Sequence, residues 1–133
     1  MTLDHATIVT KDVAATRRFF RDVAGLHEGP RPAFGVGGCW LYADGQALIH
    51  LIESATAATA TKPSPRIDHV ALRVDGGEAW AALLERLRQN RIPYELAEVP
   101  SAGELQLFVG LAPGVTIEFI KRAANAADPI SEP

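Results

Sequence analysis

Two stretches of the chain share one pattern of apolar and polar positions. Leu3-Asp4-His5-Ala6-Thr7-Ile8-Val9 returns 64 residues later as Ile67-Asp68-His69-Val70-Ala71-Leu72-Arg73. Each copy is an apolar residue, Asp and His followed by an apolar-rich strand pattern, and internal repetition of this kind organises a fold. After each copy the spacing changes from that of a strand to that of a helix. In the first, Asp12 is the expected N-cap. Val13, Thr16, Phe20 and Val23 form the helical stripe, and Gly25 ends it in a left-handed conformation. In the second, Asp75 and Glu78 have the spacing of a capping box. Trp80, Leu83, Leu84 and Leu87 then make one apolar face, and Asn90 closes the helix.

Strand-like runs follow each helix. The first set contains an indistinct strand around Leu26–Glu28 running towards Phe34, then Cys39–Tyr42 and Leu48–Ile52 joined by an Asp44-Gly45 hairpin turn. The second contains Tyr94–Leu96, Leu105–Val109 and Val115–Ile120, with Pro113-Gly114 at the last turn. Each half therefore reads strand–helix–strand–strand–strand. The predicted class is α+β: two βαβββ modules whose curved mixed sheets enclose a cavity, with the helices on the outer faces. The first module spans 1–53, an Ala/Thr/Pro-rich linker 54–66, the second module 67–122 and a frayed tail 123–133, all as one structural unit. A helical turn is expected near Ala55–Ala60 within the linker.

Strand parity sorts the polar groups. Successive side chains on a strand face opposite ways. Ile8, Val70, Leu72, Val74, Ile49, Leu51, Ile117 and Phe119 are placed to receive the helices. His5, His50, His69 and Glu118 then lie on the other face, where a curled sheet lines a cavity. A single histidine in a strand more often serves as a hydrogen-bonded core or surface residue. Three imidazoles and a carboxylate at repeat-related positions instead point to a divalent metal, since imidazole suits Zn, Ni and Fe and a carboxylate accepts all of them. Two of the histidines with the carboxylate also match the facial triad of non-haem iron enzymes. His27 stands outside the repeat and is expected at the surface. Thr7, Trp40, Tyr42, Gln106 and Phe108 share the cavity-facing parity and form a part-aromatic substrate pocket, or, for Trp40 and Phe108, simply fill the concave core.

Composition narrows the function. The chain has 133 residues, of which 47% are hydrophobic and 22% charged, with 13 basic and 16 acidic residues giving a net charge of -3. That is one globular domain's worth of core, too apolar for disorder. Basic and acidic residues are mixed, so no patch points to nucleic acid or to a membrane surface. No apolar run reaches the roughly 18 residues of a membrane span. No secretory leader is visible, so a cytoplasmic location is expected. The one cysteine, Cys39, excludes an internal disulfide and a cysteine-cluster metal site.

At these residues the sequence resembles the glyoxalase / bleomycin-resistance / extradiol-dioxygenase superfamily, also called the vicinal oxygen chelate family. The resemblance runs from Leu3 to about Arg122. It is carried by Leu3-Asp4-His5, by Arg18-Phe19-Phe20-Arg21-Asp22 within the first helix, by Ile67-Asp68-His69-Val70-Ala71 and by Pro113-Gly114-Val115-Thr116-Ile117-Glu118-Phe119. It implies paired βαβββ modules around a metal, with ligands from the first and last strand of each module: His5, His50, His69 and Glu118. The implied cofactor is a divalent ion (Fe, Zn, Ni, Mn or Co). Glyoxalase I-like members usually carry Glu at the position of His50, and epimerase-like members Gln. Dioxygenases and fosfomycin-resistance enzymes use only the other three positions. His50 is thus either a fourth ligand or an acid/base beside the metal. Val9 and Ser54 stand where glyoxalase I-like enzymes hold glutathione with Arg and Asn, so no glutathione site is evident.

Three functions are implied by the resemblance. The first is a metal-dependent lyase or isomerase acting on a small substrate that chelates the metal through vicinal oxygens, with Glu118 or His50 moving the proton. The second is a one-domain extradiol-type Fe(II) dioxygenase held by His5, His69 and Glu118. The third is a non-enzymatic small-molecule or drug-binding resistance protein. Each takes a small-molecule partner, and the family's habit implies a homodimer.

Overall fold

Eight strands and two helices, in a computed structural model that describes residues 1–54, 63–99 and 103–123, occur along the chain in the predicted order. They are β1 (Thr2–Thr10), α1 (Val13–Arg18), β2 (His27–Gly29), β3 (Gly38–Ala43), β4 (Gln46–Glu53), β5 (Arg66–Arg73), α2 (Gly77–Gln89), β6 (Glu95–Val99), β7 (Glu104–Ala112) and β8 (Val115–Arg122). The class is α+β. Hydrogen bonding orders the strands β2-β3-β4-β1-β5-β8-β7-β6, and the sheet is not closed. The chain divides into two compact units, Leu3–Ala71 and Leu72–Pro133 with Met1–Thr2, and the division falls inside β5. The expected helical turn at Ala55–Ala60 and the tail beyond Ala123 lie outside the described residues. No helix among the described residues is long and apolar enough to cross a membrane.

In the first unit β1 runs parallel to β4, and β3 is antiparallel to both β4 and β2. Asp44 and Gly45, both at positive φ (52° and 78°), make the β3–β4 hairpin, a turn that needs the left-handed region at both residues. Cys39, Leu41 and Leu51 are buried, with Ile8, Val13, Phe20, Leu26 and Ile49 packed on them. That is one face of the sheet, the helix-facing one the parity predicted.

Helix α1 starts where the sequence indicates: the Asp12 carboxylate accepts the Ala15 N–H at 2.9 Å. It does not continue regularly. Phe19–Val23 form a π-helical turn, with the Ala24 N–H bonded to the Phe19 carbonyl. The wider turn shifts the helical phase of its last residues, so Val23, expected in the core, is exposed, while Phe20 still packs inward. Gly25 then takes φ 81°, the left-handed ending anticipated for it. The indistinct strand is short, ending at Gly29, and is followed by Pro30 and Pro32, which have no N–H to extend a ladder. A Cβ on Gly29 would come within 2.7 Å of the Tyr42 ring, and the Tyr42 hydroxyl donates to the Pro30 carbonyl.

In the second unit β7 is antiparallel to β6 and β8. Gly114, at φ 80°, turns the chain after Pro113. Trp80, Leu83 and Leu87 of α2 pack on Val74, Leu107 and Val109, with Leu84, Leu105 and Phe119 alongside. The capping box is a correction. The residue before the helix is Gly76, at φ 91°, and no side chain caps it. The left-handed glycine sends the chain into α2 one residue later than Asp75 would, which spoils the spacing to Glu78. Asn90 closes the helix as expected, with its side-chain amide and its backbone N–H both donating to the Arg86 carbonyl.

Candidate metal centre

His5, His50, His69 and Glu118 sit on β1, β4, β5 and β8, four consecutive strands in the hydrogen-bonding order β4-β1-β5-β8. Neighbouring strands lie about 4.8 Å apart, so same-facing side chains on them can converge. The register fixes the facing. Thr7 pairs with His50 and His50 with Trp40, so these three form a row across β1, β4 and β3 on the face opposite Leu41 and Leu51. His5 is two residues from Thr7 and shares its face.

Three of the four predicted ligands come together. His5, His69 and Glu118 each offer one ligand atom, all within 4.8 Å of one another. Ligands about 2.1 Å from a common ion lie roughly 3–4 Å apart, a spacing somewhat shorter than the 4.8 Å limit of this group. His5 is 4% exposed and Glu118 1%. A buried carboxylate needs hydrogen bonds or a cation. Gln106 supplies one hydrogen bond, its Nε2 donating to Glu118 Oε1 at 2.8 Å.

His50 occupies a different relation. Its ring stacks on His5 with centroids 3.6 Å apart and planes within 14° of parallel. Its other face stacks on Trp40, at 3.9 Å and 11°. Imidazole lone pairs lie in the ring plane, so an ion bound by one of two parallel stacked rings sits far from the plane of the other. His69 instead meets His5 edge-on, with centroids 5.9 Å apart and planes at 77°, which lets lone pairs of both converge.

Two residues that sequence reasoning passed over complete the centre. Asp4 Oδ2 lies 2.7 Å from His5 Nδ1, and Asp68 Oδ2 lies 2.9 Å from His69 Nδ1. An ionised carboxylate can only accept, so Nδ1 is the donating nitrogen in each contact. Arg66 Nη1 donates to the other oxygen of Asp68 at 3.0 Å. Burial pushes the Asp68 carboxyl up, but hydrogen bonds from His69 and Arg66 outweigh it and hold the group below the usual carboxylate range. The signal was in the sequence, since the aspartate recurs with its histidine in both copies. Alternation of strand side chains directs attention away from a bond between adjacent residues.

The donor set of two imidazoles and a carboxylate, with both imidazoles donating from Nδ1, fits a divalent transition metal. Of the predicted pocket residues, Thr7 is buried beside His50 in register, Trp40 stacks on His50, and Phe108 pairs in register with Glu118. Gln106 bonds Glu118, and Tyr42 is tied to Pro30. His27 lies exposed on β2, paired in register with Tyr42 of β3.

Comparison with known proteins agrees with this architecture. The model of the Glyoxalase/Bleomycin resistance protein/Dioxygenase superfamily matches residues 2–103. Among solved structures, methylmalonyl-CoA epimerase from Mycobacterium tuberculosis is 26% identical with a TM-score of 0.67, the match covering 92% of this chain and 88% of that one. A hypothetical protein from Bacillus halodurans C-125 is 21% identical with a TM-score of 0.68, covering 96% and 98%. A catechol 2,3-dioxygenase is 17% identical with a TM-score of 0.70, covering 91% of this chain but 39% of its own. No match was found among curated protein sequences. With three quarters of its length matched by the family model and its fold shared with these structures, the chain belongs to the Glyoxalase/Bleomycin resistance protein/Dioxygenase superfamily.

Proposed function

We propose that this protein is a metal-dependent enzyme that moves a proton on a small substrate bearing two vicinal oxygens, a lyase or isomerase of glyoxalase/epimerase kind. The observation that carries the reading is the convergence of His5, His69 and Glu118 within 4.8 Å. A divalent ion held by these three residues supplies Lewis-acid polarisation of the substrate oxygens. His50 is the acid/base group. Its ring is clamped between Trp40 and His5, and imidazole is a side chain suited to general acid–base catalysis. Glu118 serves as ligand, oriented by Gln106. Thr7 and Trp40, on the face of the first unit that carries His50, line the substrate's side. The match to methylmalonyl-CoA epimerase over most of both chains supports proton transfer over oxygen chemistry. The reading extends to a C2 homodimer working in the cytoplasm.

A second reading is supported by the donor set itself. Two histidines and one carboxylate, with His50 outside the set, match the facial triad of non-haem Fe(II) oxygenases. One experiment separates the two. The metal-loaded protein is offered 2-hydroxy ketones, 2-hydroxy acids and acyl-CoA esters in deuterated water, and catechols under an oxygen electrode. Deuterium entering the carbon next to a carbonyl, lost in His50→Ala, supports the first. Oxygen uptake with catechols replaces it with the second.

A further inference from the structure

Each imidazole of the convergent set is preceded by an aspartate whose carboxylate it touches. The two contacts have the same atoms, Oδ2 to Nδ1, and nearly the same length, 2.7 Å at Asp4–His5 and 2.9 Å at Asp68–His69. Adjacent side chains on a strand start out on opposite faces. A carboxylate reaches the next residue's ring only by folding back around the backbone, and here that happens in both copies of the repeat. In the second copy Arg66 grips Oδ1 while His69 meets Oδ2, so the carboxylate is held at both ends.

We infer that Asp4 and Asp68 are positioning residues that keep the Nδ1 hydrogen on His5 and His69 and so dedicate Nε2 of both rings to the metal; the inference rests on the metal reading above. A neutral imidazole has one donor and one acceptor nitrogen, and the partner of the first decides which the second is. A negative partner also raises the electron density that the other nitrogen offers to an ion. The carboxylate thus does two things to each ring: it selects the tautomer and strengthens the ligand. An amide in its place keeps the first, because its oxygen still accepts, and loses the second.

The test has two readouts. In the metal-free wild type, long-range ¹H–¹⁵N NMR spectra of the imidazoles report the tautomers. His5 and His69 are expected with hydrogen on Nδ1 and none on Nε2. Competition titration with Zn²⁺ and Co²⁺ then compares Asp4→Ala, Asp68→Ala and the two Asp→Asn variants with wild type. Each Ala variant is expected to bind about 10–100-fold more weakly, and each Asn variant to fall between it and wild type. Metal-free thermal unfolding of every variant is recorded alongside, so that a loss of fold is not read as a loss of ligand strength. Hydrogen on Nε2 in the wild type overturns the inference, as do folded Ala variants that bind within twofold of wild type. Wild type that binds neither ion brings down the metal reading and the inference together, whereas tight wild-type binding with unaffected variants removes the inference alone.

Discussion

The imidazole of His50 lies flat against that of His5, with centroids 3.6 Å apart and planes within 14° of parallel. Parallel rings in contact cannot both direct a lone pair at one ion about 2.1 Å from each. On the proposed reading the pair divides the labour, His5 holding the metal and His50 handling the proton. His50→Ala is expected to keep its metal, with affinity within about threefold to tenfold of wild type, while solvent-exchange activity drops about 100-fold or more. Elemental analysis and deuterium exchange measure the two separately. Loss of metal in this variant would show that His50 is a ligand.

Trp40 covers the remaining face of His50 at 3.9 Å. Removing it frees the ring to turn without touching the metal set. Trp40→Leu is expected to lower the turnover rate about tenfold or more, with metal content unchanged, since misplacing a reacting group by about 1 Å costs catalysis heavily. Trp40→Phe, which preserves a stacking surface, should recover most of the rate. Equal rates in the two variants would argue that stacking is not what matters at this position.

Gln106 donates to the buried Glu118 carboxylate at 2.8 Å. Hydrogen bonds to charged groups contribute about 1.5–3 kcal/mol, and stranding the acceptor adds a desolvation cost. Gln106→Ala should therefore lower the unfolding free energy of the metal-free protein by about 1–3 kcal/mol in urea titrations. A variant as stable as wild type would mean that Gln106 does not support this carboxylate in solution.

Cys39 is buried in the apolar cluster with Leu41 and Leu51, and burial pushes its thiol pKa up, with Glu28 adding to the shift. The thiolate is the reactive form. The folded protein at pH 8 should resist iodoacetamide and react fully only in denaturant, which mass spectrometry of the alkylated chain reads directly. Fast labelling under native conditions would contradict the packing of the first unit.

Much of this was legible in the sequence for identifiable reasons. The Asp-His repeat marked β1 and β5. Asp44-Gly45 and Pro113-Gly114 have turn chemistry that few other conformations share. The period of two separated Leu41 and Leu51 from Trp40 and His50, and the structure keeps that separation. Other features depend on geometry that spacing does not encode. The π-helical turn at Phe19–Val23 changes the helical period locally and exposes Val23. Gly76 displaces Asp75 from the start of α2 through a single positive φ. Parity placed His50 on the right face but had no means of distinguishing a ring that converges on a neighbour from one that stacks on it. The bonds from Asp4 and Asp68 run against the alternation that made the rest readable.

The proposed metal centre of His5, His69 and Glu118 is open to direct measurement. Its most direct test is elemental analysis of the untagged protein beside His5→Ala and Glu118→Ala, each as purified and after reconstitution with Fe, Zn, Ni, Mn or Co. Close to one equivalent is expected in the wild type and a loss in both variants, with folding intact by circular dichroism. No bound metal in the wild type under any of these conditions, or undiminished binding in both folded variants, would contradict the proposal.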